Sequence, residues 1–258
     1  MHPFGTRTAL IGCTGFVGSN LASQHPYTDQ FNSRNINDLA GGAYDTIVCA
    51  GVSAVKYLAN QQPEADWAGI GRLLEPLGKV KAGRFLLIST IDVYAQPIMV
   101  TEADPGSSEN HAYGRHRLAV EHFVRDNFSH SHVIRLPGLF GPGLKKNILF
   151  DLRHRNCLEN IQPASSYQYY DVAHLTSDLQ KVLDLDLPLL NLATAPLTTQ
   201  SILDRFAPHE AVGQNAGPPG HYDFRSLHAG AWGGKDGYLY PAEQVMADLS
   251  RYFTTSPA

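Results

Sequence analysis

The chain has 258 residues, 43% of them apolar and only 17% charged, which excludes disorder as its main state and fits one large domain or one with a small lobe. Twenty Lys and Arg against 24 Asp and Glu leave a formal charge of −4, so nucleic acid and anionic membrane are poor candidates for a partner. Three scattered cysteines, Cys13, Cys49 and Cys157, suit neither a disulfide framework nor a thiolate metal site and point to a reducing compartment. No apolar run approaches the ~20 residues that span a bilayer. Residues Met1 to Arg7 pass straight into a strand-like run, which predicts a cytoplasmic protein without a leader.

Taken in chain order, the run from Thr8 to Gly12 is short, apolar and β-prone, and a helical pattern follows from Phe16 to about Ser23, ended by His25 and Pro26. A second strand is expected through Gln30 to Asn32, ending at Ser33, Arg34 and Asn35. Further apolar runs cover Asp45 to Ala50, Arg84 to Ser89, His132 to Leu136 and Leu189 to Leu192. They are continuous rather than alternating, as in strands buried on both faces of a parallel sheet. Helical stretches lie between them at Glu64 to about Val80, Tyr113 to Phe128 and Val172 to Leu185. Such alternation predicts an α/β fold: a Rossmann-type doubly wound parallel sheet with a small C-terminal substrate lobe. The expected division is a dinucleotide domain over 1–165, its last strand returning near 189–193, and a lobe over 196–258. Within that lobe, Pro208 to Gly237 reads as loop and Pro241 to Phe253 as a closing helix.

Gly12, Gly15 and Gly18 stand at a spacing of three between the first strand and the first helix, with Cys13, Thr14, Phe16 and Val17 between them. The first glycine permits a tight turn, the second lets backbone approach a pyrophosphate, and the third lets helix and strand pack closely. The helix N-terminus adds free N–H groups and a positive dipole end. Strand, turn and helix together predict dinucleotide binding rather than an ordinary glycine-rich turn. About 20 residues on, such folds read the adenosine ribose, with an acid for a 2′-hydroxyl or a cation for a 2′-phosphate. Here Ser33 and Arg34 supply a hydroxyl and a guanidinium and no carboxylate. NADP(H) is therefore preferred and NAD(H) kept open, a solvated loop cation being the bland alternative for Arg34.

The spacing Gly-x-x-Gly-x-x-Gly and the segment Thr14 to Leu21 resemble the extended branch of the short-chain dehydrogenase/reductase superfamily, the NAD-dependent epimerase/dehydratase family. Leu87 to Tyr94, Tyr113 to Arg117, Arg135 to Pro142 and Asn191 to Ala193 continue the resemblance in the family's order. It covers residues 8 to 195 or so. The resemblance implies an enzyme that oxidises, reduces, epimerises or dehydrates at a sugar carbon. Tyr113 would be its acid/base and Thr90 the hydroxyl sharing the substrate, with Ser89 as neighbour. Ala50, Gly51, Ser89 and Pro137 would join the glycine turn in holding the cofactor. The family places a lysine four residues after the tyrosine; this chain has Arg117, at i, i+4 and so on the same helix face. Arg117 either replaces the lysine against the cofactor and phenol, or the site has decayed to non-catalytic nucleotide binding, as in a sensor or scaffold.

Asp92, two residues after Thr90 on an extended segment, would project to the same side as a second proton carrier, or else begin a turn. Gly138 stands where the family has Asn, and Gln168 where it has a phosphate-binding Arg. Lys145, Lys146, Asn147 and Gln168 are the expected substrate contacts, a solvated basic loop being the alternative for the lysines. A nucleotide sugar is the leading substrate, with a smaller polyol or sugar acid as rival. His111, His116 and His122 do not align on one helix face, so no metal is expected. The family's four-helix association would make the helix from Tyr113 part of a homodimer.

Overall fold

The structure is a computed structural model and describes residues 4–255. The elements in chain order are β1 (Thr8–Ile11), α1 (Phe16–Gln24), β2 (Asp29–Phe31), β3 (Ala43–Cys49), α2 (Lys56–Gln61), α3 (Pro63–Leu77), β4 (Lys81–Thr90), α4 (Ala112–Asn127), β5 (Ser131–Leu136) and β6 (Gly138–Phe140). Then follow α5 (Ile148–His154), β7 (Ser166–Tyr167), β8 (Tyr169–Asp171), α6 (Leu175–Asp184), β9 (Leu189–Asn191), β10 (Leu197–Thr198), α7 (Thr199–Phe206) and α8 (Ala242–Thr254). The chain divides into two compact units.

The first unit takes residues 1–95, 105–135 and 173–190. Its sheet runs β2-β1-β3-β4-β5-β9, flanked by helices, and β1 pairs in parallel with both β2 and β3, as β3 does with β4. From Thr46 to Cys49 every residue of β3 is buried, which a strand covered on both faces requires. Ile47, Cys49, Phe85 and Leu87 of the sheet pack with Ile70, Leu73 and Leu77 of α3 and Val120 and Val124 of α4. Each such side chain contributes roughly 1.5–3 kcal/mol of burial. Strand order reverses at β1, between β2 and β3, which opens a crevice at the C-terminal edge of the sheet where α/β folds take ligands. The short spacing before β3 leaves room only for a 3-10 turn, Ile36–Leu39, so the sheet ends at β2.

The helix expected from Glu64 to about Val80 is shorter and has a companion. Pro63 starts α3 at its first position, where the missing N–H costs nothing, and divides it from α2. Gly78 ends the helix, so Val80 lies outside it. The second unit takes residues 96–104, 136–172 and 191–258, more than the C-terminal stretch expected from composition. Its strands pair as β6 with β8, parallel, and β7 with β10, antiparallel. A parallel pair needs a long crossover, which keeps residues 138–171 together in one unit. Its core joins Phe140, Leu149 and Tyr169 to Ile202, Leu203, Val245 and Leu249. No helix among the described residues is long and apolar enough to cross a membrane.

Candidate active site

The glycine turn follows β1 at the crevice. Gly12 adopts φ +85, and a Cβ there would meet the Ala50 carbonyl oxygen at 2.4 Å. At Gly18 a Cβ would fall 2.0 Å from the Gly12 oxygen, so only glycine lets α1 approach the turn this closely. Gly15 differs: its Cβ position meets nothing nearer than 3.4 Å. It caps α1 without a side-chain hydrogen bond, and no acid lies in the first turn. The positive dipole end of α1 is therefore met by no side-chain cap and no acid of its own first turn, a cradle that suits a pyrophosphate. Thr14 is exposed beside Gly15, and Phe16 and Val17 are half-buried in the first turn.

The N–H groups of Gly12 and Cys13 both donate to the Phe31 carbonyl, at 2.8 and 3.2 Å, which ties the glycine turn to the end of β2. Ser33 and Arg34 occupy the exposed turn that follows. The Arg34 backbone donates to the Asn32 side chain at 2.9 Å, and its guanidinium has no partner among the described residues. Ala50 and Gly51 leave β3 beside the same turn, with the Ala50 N–H on the Ile11 carbonyl at 2.9 Å. Gly51 lines a groove of about 290 Å³ together with Val52, Ser53, Leu58, Asp66, Ile70 and Leu73.

At the end of β4 the chain makes a 3-10 turn, Ile91–Val93, rather than continuing extended. Thr90 caps it by accepting from the Asp92 N–H at 3.2 Å. The expectation that Thr90 and Asp92 share one side of an extended segment is thus corrected. The Asp92 carboxylate instead takes the Lys56 ammonium of α2 at 2.8 Å. Gly114, in the first turn of α4, has no room for a Cβ, which would lie 2.3 Å from the Asp92 carbonyl oxygen. Asn110 donates to that same oxygen at 2.6 Å, so the Asp92 turn is pressed onto the start of α4.

Tyr113 opens α4 and is 7% exposed. Its N–H donates to the Asn60 side chain of α2 at 2.9 Å, and its phenol interacts with the Thr90 hydroxyl. Burial pushes the phenol above its ordinary value, against the pull of Arg117; Asp92 adds to the rise, while the Thr90 hydroxyl and Lys56 oppose it. The chain's own groups hold Tyr113 protonated.

Arg117 lies one turn further along α4, with its guanidinium 4.0 Å from the centre of the Tyr113 ring. Both Nη groups of the fork are engaged. Asp66 of α3 takes Nη1 at 2.5 Å and Nη2 at 3.0 Å, and Nη2 also donates to the Ser53 carbonyl. Burial resists the Asp66 charge, but hydrogen bonds from Arg117 and from His116, 2.7 Å away, outweigh it and hold the carboxyl below its ordinary range. Arg117 keeps a cation at the phenol while its Nη groups are held by Asp66 of α3 and the Ser53 carbonyl.

Three expected contacts take other partners. Ser89 turns its hydroxyl onto Glu121 at 2.6 Å, in a buried network where Arg135 grips both Glu121 oxygens at 3.0 and 2.6 Å and donates to the Tyr94 hydroxyl at 2.6 Å. Gln168, expected at the substrate, is buried with its amide donating to the Thr194 and Phe224 carbonyls and accepting from the Phe224 N–H. Asn147 caps α5, accepting from Leu149 and Phe150, and donates to Leu139. Both N–H groups of Gln168 and both lone pairs of the Asn147 oxygen are thus engaged within the fold. Lys145 and Lys146 are exposed, and Pro137 is half-buried between β5 and β6.

Lys56, Asn60, Asp66 and Glu121 escaped the sequence reading, and Arg135 entered it only as the start of a family-like segment. Glu121 alone left a trace, at i, i+8 from Tyr113 on the face that also carries Arg117. The others meet the site only through tertiary contacts.

No family model matches the sequence, and no curated protein matches it. Among solved structures the chain is similar to UDP-glucose 4-epimerase from Thermotoga maritima with UDP-glucose (TM-score 0.72, 14% identity, 96% of this chain against 97% of that one). It is similar also to DesIV, a dTDP-glucose 4,6-dehydratase from Streptomyces venezuelae with NAD bound (0.72, 15%, 96% against 96%). A third is dTDP-4-dehydrorhamnose reductase from Bacillus anthracis in complex with NADP (0.70, 15%, 96% against 97%). These neighbours are extended short-chain dehydrogenase/reductase enzymes. At this identity the likeness establishes the fold: this chain has the Rossmann-type α/β fold of the nucleotide-sugar epimerases, dehydratases and reductases.

Proposed function

We propose that the chain binds NADP(H), NAD(H) being the second choice, and catalyses oxidation–reduction, epimerisation or dehydration at a carbon of a nucleotide sugar. The observation that carries this reading is the buried Tyr113 beside Thr90 at the end of β4, on the sheet edge where Gly12 and Ala50 leave β1 and β3. The open cradle at Gly15 fits a dinucleotide pyrophosphate, with Thr14, Phe16 and Val17 around it and Gly51 lining the adjoining groove. Ser33 and Arg34 would meet the 2′-phosphate. When bound, the nicotinamide accepts and returns a hydride at the substrate carbon. Tyr113, held protonated, donates to the substrate oxygen or, in the reverse direction, receives its proton. Thr90 fixes that oxygen, and the Arg117 cation on the ring face eases the phenolate.

The solved neighbours support the substrate class, since the epimerase holds UDP-glucose and DesIV, a dTDP-glucose dehydratase, holds NAD. The commitment of Arg117 to Asp66 favours a second reading, a non-catalytic NAD(P)(H)-binding sensor or scaffold. Calorimetry with NADPH and NADH, followed by a screen of keto-sugar nucleotides with wild type and Y113F, separates them. The enzyme reading expects nucleotide binding in both proteins and a rate loss of at least ~10² in Y113F. Nucleotide binding with no turnover of any substrate in the screen would leave the sensor, turnover indifferent to Y113F would remove Tyr113 as the acid/base, and failure to bind either nucleotide would remove both readings.

A further inference from the structure

Two ion pairs neighbour Tyr113. Arg117–Asp66 is buried and stacked on the ring face. Lys56–Asp92 is the more accessible, its side chains 39% and 18% exposed. An ion pair this exposed adds little to stability, yet its placement is fixed from several directions. Lys56 and Asn60 stand one turn apart on α2, and so on one face of it. Asn60 accepts the Tyr113 N–H at 2.9 Å, which docks that face on the start of α4. Asp92 is held by Thr90 and Asn110 through its backbone, and Gly114 admits its turn against α4.

We propose that Lys56 is a positioning residue for Tyr113: α2 carries its ammonium to the Asp92 carboxylate so that the pair sets the charge around the reacting hydroxyl. The inference rests on the reading of Tyr113 as the acid/base. Arg117 is committed to Asp66 and Ser53, and a guanidinium does not exchange protons in the working range. Lys56 is the cation on the accessible side, and with it removed the Asp92 charge would act on the phenol more strongly. The charged groups around Tyr113 are Arg117 from α4 with its partner Asp66 from α3, Asp92 from the 3-10 turn and Lys56 from α2, with the His111 ring 6.2 Å away.

The test places 3,5-difluorotyrosine at position 113 of the full chain, which brings the phenol titration toward neutral pH, and follows it by fluorine NMR. K56M is expected to move the titration upward, K56R to restore it, and D92N, which leaves α2 unaltered, to move it downward. A structural role for Lys56 would change stability without this pattern. An unchanged midpoint in K56M, or an upward one in D92N, would overturn the proposal. Failure of nucleotide binding would instead remove the enzymatic reading and leave this titration readable.

Discussion

Exchanging the ammonium expected four residues after a tyrosine for a guanidinium changes what that position can hold. Arg117 presents a planar fork, and the fold meets it with the carboxylate of Asp66 and the Ser53 carbonyl, leaving Nε without an acceptor among the described residues. An unmet buried donor costs about 1–3 kcal/mol, and removing Asp66 would strand the cation at about 3–5 kcal/mol. Arg34 is the opposite case, an exposed guanidinium beside the glycine turn with nothing yet to hold. Charge-assisted hydrogen bonds to a phosphate are worth about 1.5–3 kcal/mol, so R34A is expected to weaken NADPH binding by roughly tenfold or more. NADH affinity should change little. Parallel calorimetric titrations at one ionic strength check this, and equal losses for both nucleotides would count against Arg34 as the 2′-phosphate reader. Where Gly12, Thr90 and Arg34 fall in the fold was legible because each sits at or just past the end of an apolar run, and the place of Tyr113 because the motif from Tyr113 to Arg117 marks a helix start. Lys56 and Asp66 were not, because nothing in the chain near either residue records which helix it will face.

At the scale of elements, α4 carries the site, and its start is the sensitive point. His111 caps it by accepting the Gly114 N–H on Nδ1 at 3.0 Å, which only the neutral ring can do. Burial, then the Lys56 charge, hold its pKa below the ordinary histidine value, with Asp92 opposing. A depressed folded pKa means that protons bind the unfolded chain more tightly. The cap's contribution is therefore full above about pH 6.5 and is lost as pH falls through the folded value. Its size is about 0.5–2 kcal/mol. H111S keeps a capping oxygen that does not titrate, so thermal melts between pH 7.5 and 5 should show a smaller acid loss in H111S than in wild type. Equal slopes would show that the cap does not titrate. The strands were readable because buried parallel strands are short continuous apolar runs. The separate α2 was not: six residues carry too little periodicity, and only Pro63 marked the break.

For the whole molecule, the order of the chain and the grouping of its core residues do not coincide. A change of composition near residue 196 looks like a domain boundary, yet the second unit is threaded from three stretches of chain. Its core draws Phe140, Leu149, Leu152, Ile161 and Tyr169 from before that point and Leu197, Ile202, Leu203, Ala207, Val245, Leu249 and Tyr252 from after it. Composition could not reveal this, because short strands such as β6 and β8 are defined by a partner some thirty positions away. Cutting at residue 195 would leave each apolar set facing water. A fragment of residues 196–258 keeps α7 and α8 but loses the surface they bury against, and helices this short are marginal alone in water. It is expected to show a largely random-coil far-UV spectrum and no cooperative melt, whereas the two fragments mixed should recover helical signal if they reassociate. A fragment that folds cooperatively by itself would mean that α7, α8 and the loop between them hold a sufficient core, and the division of the molecule would return to the boundary suggested by composition.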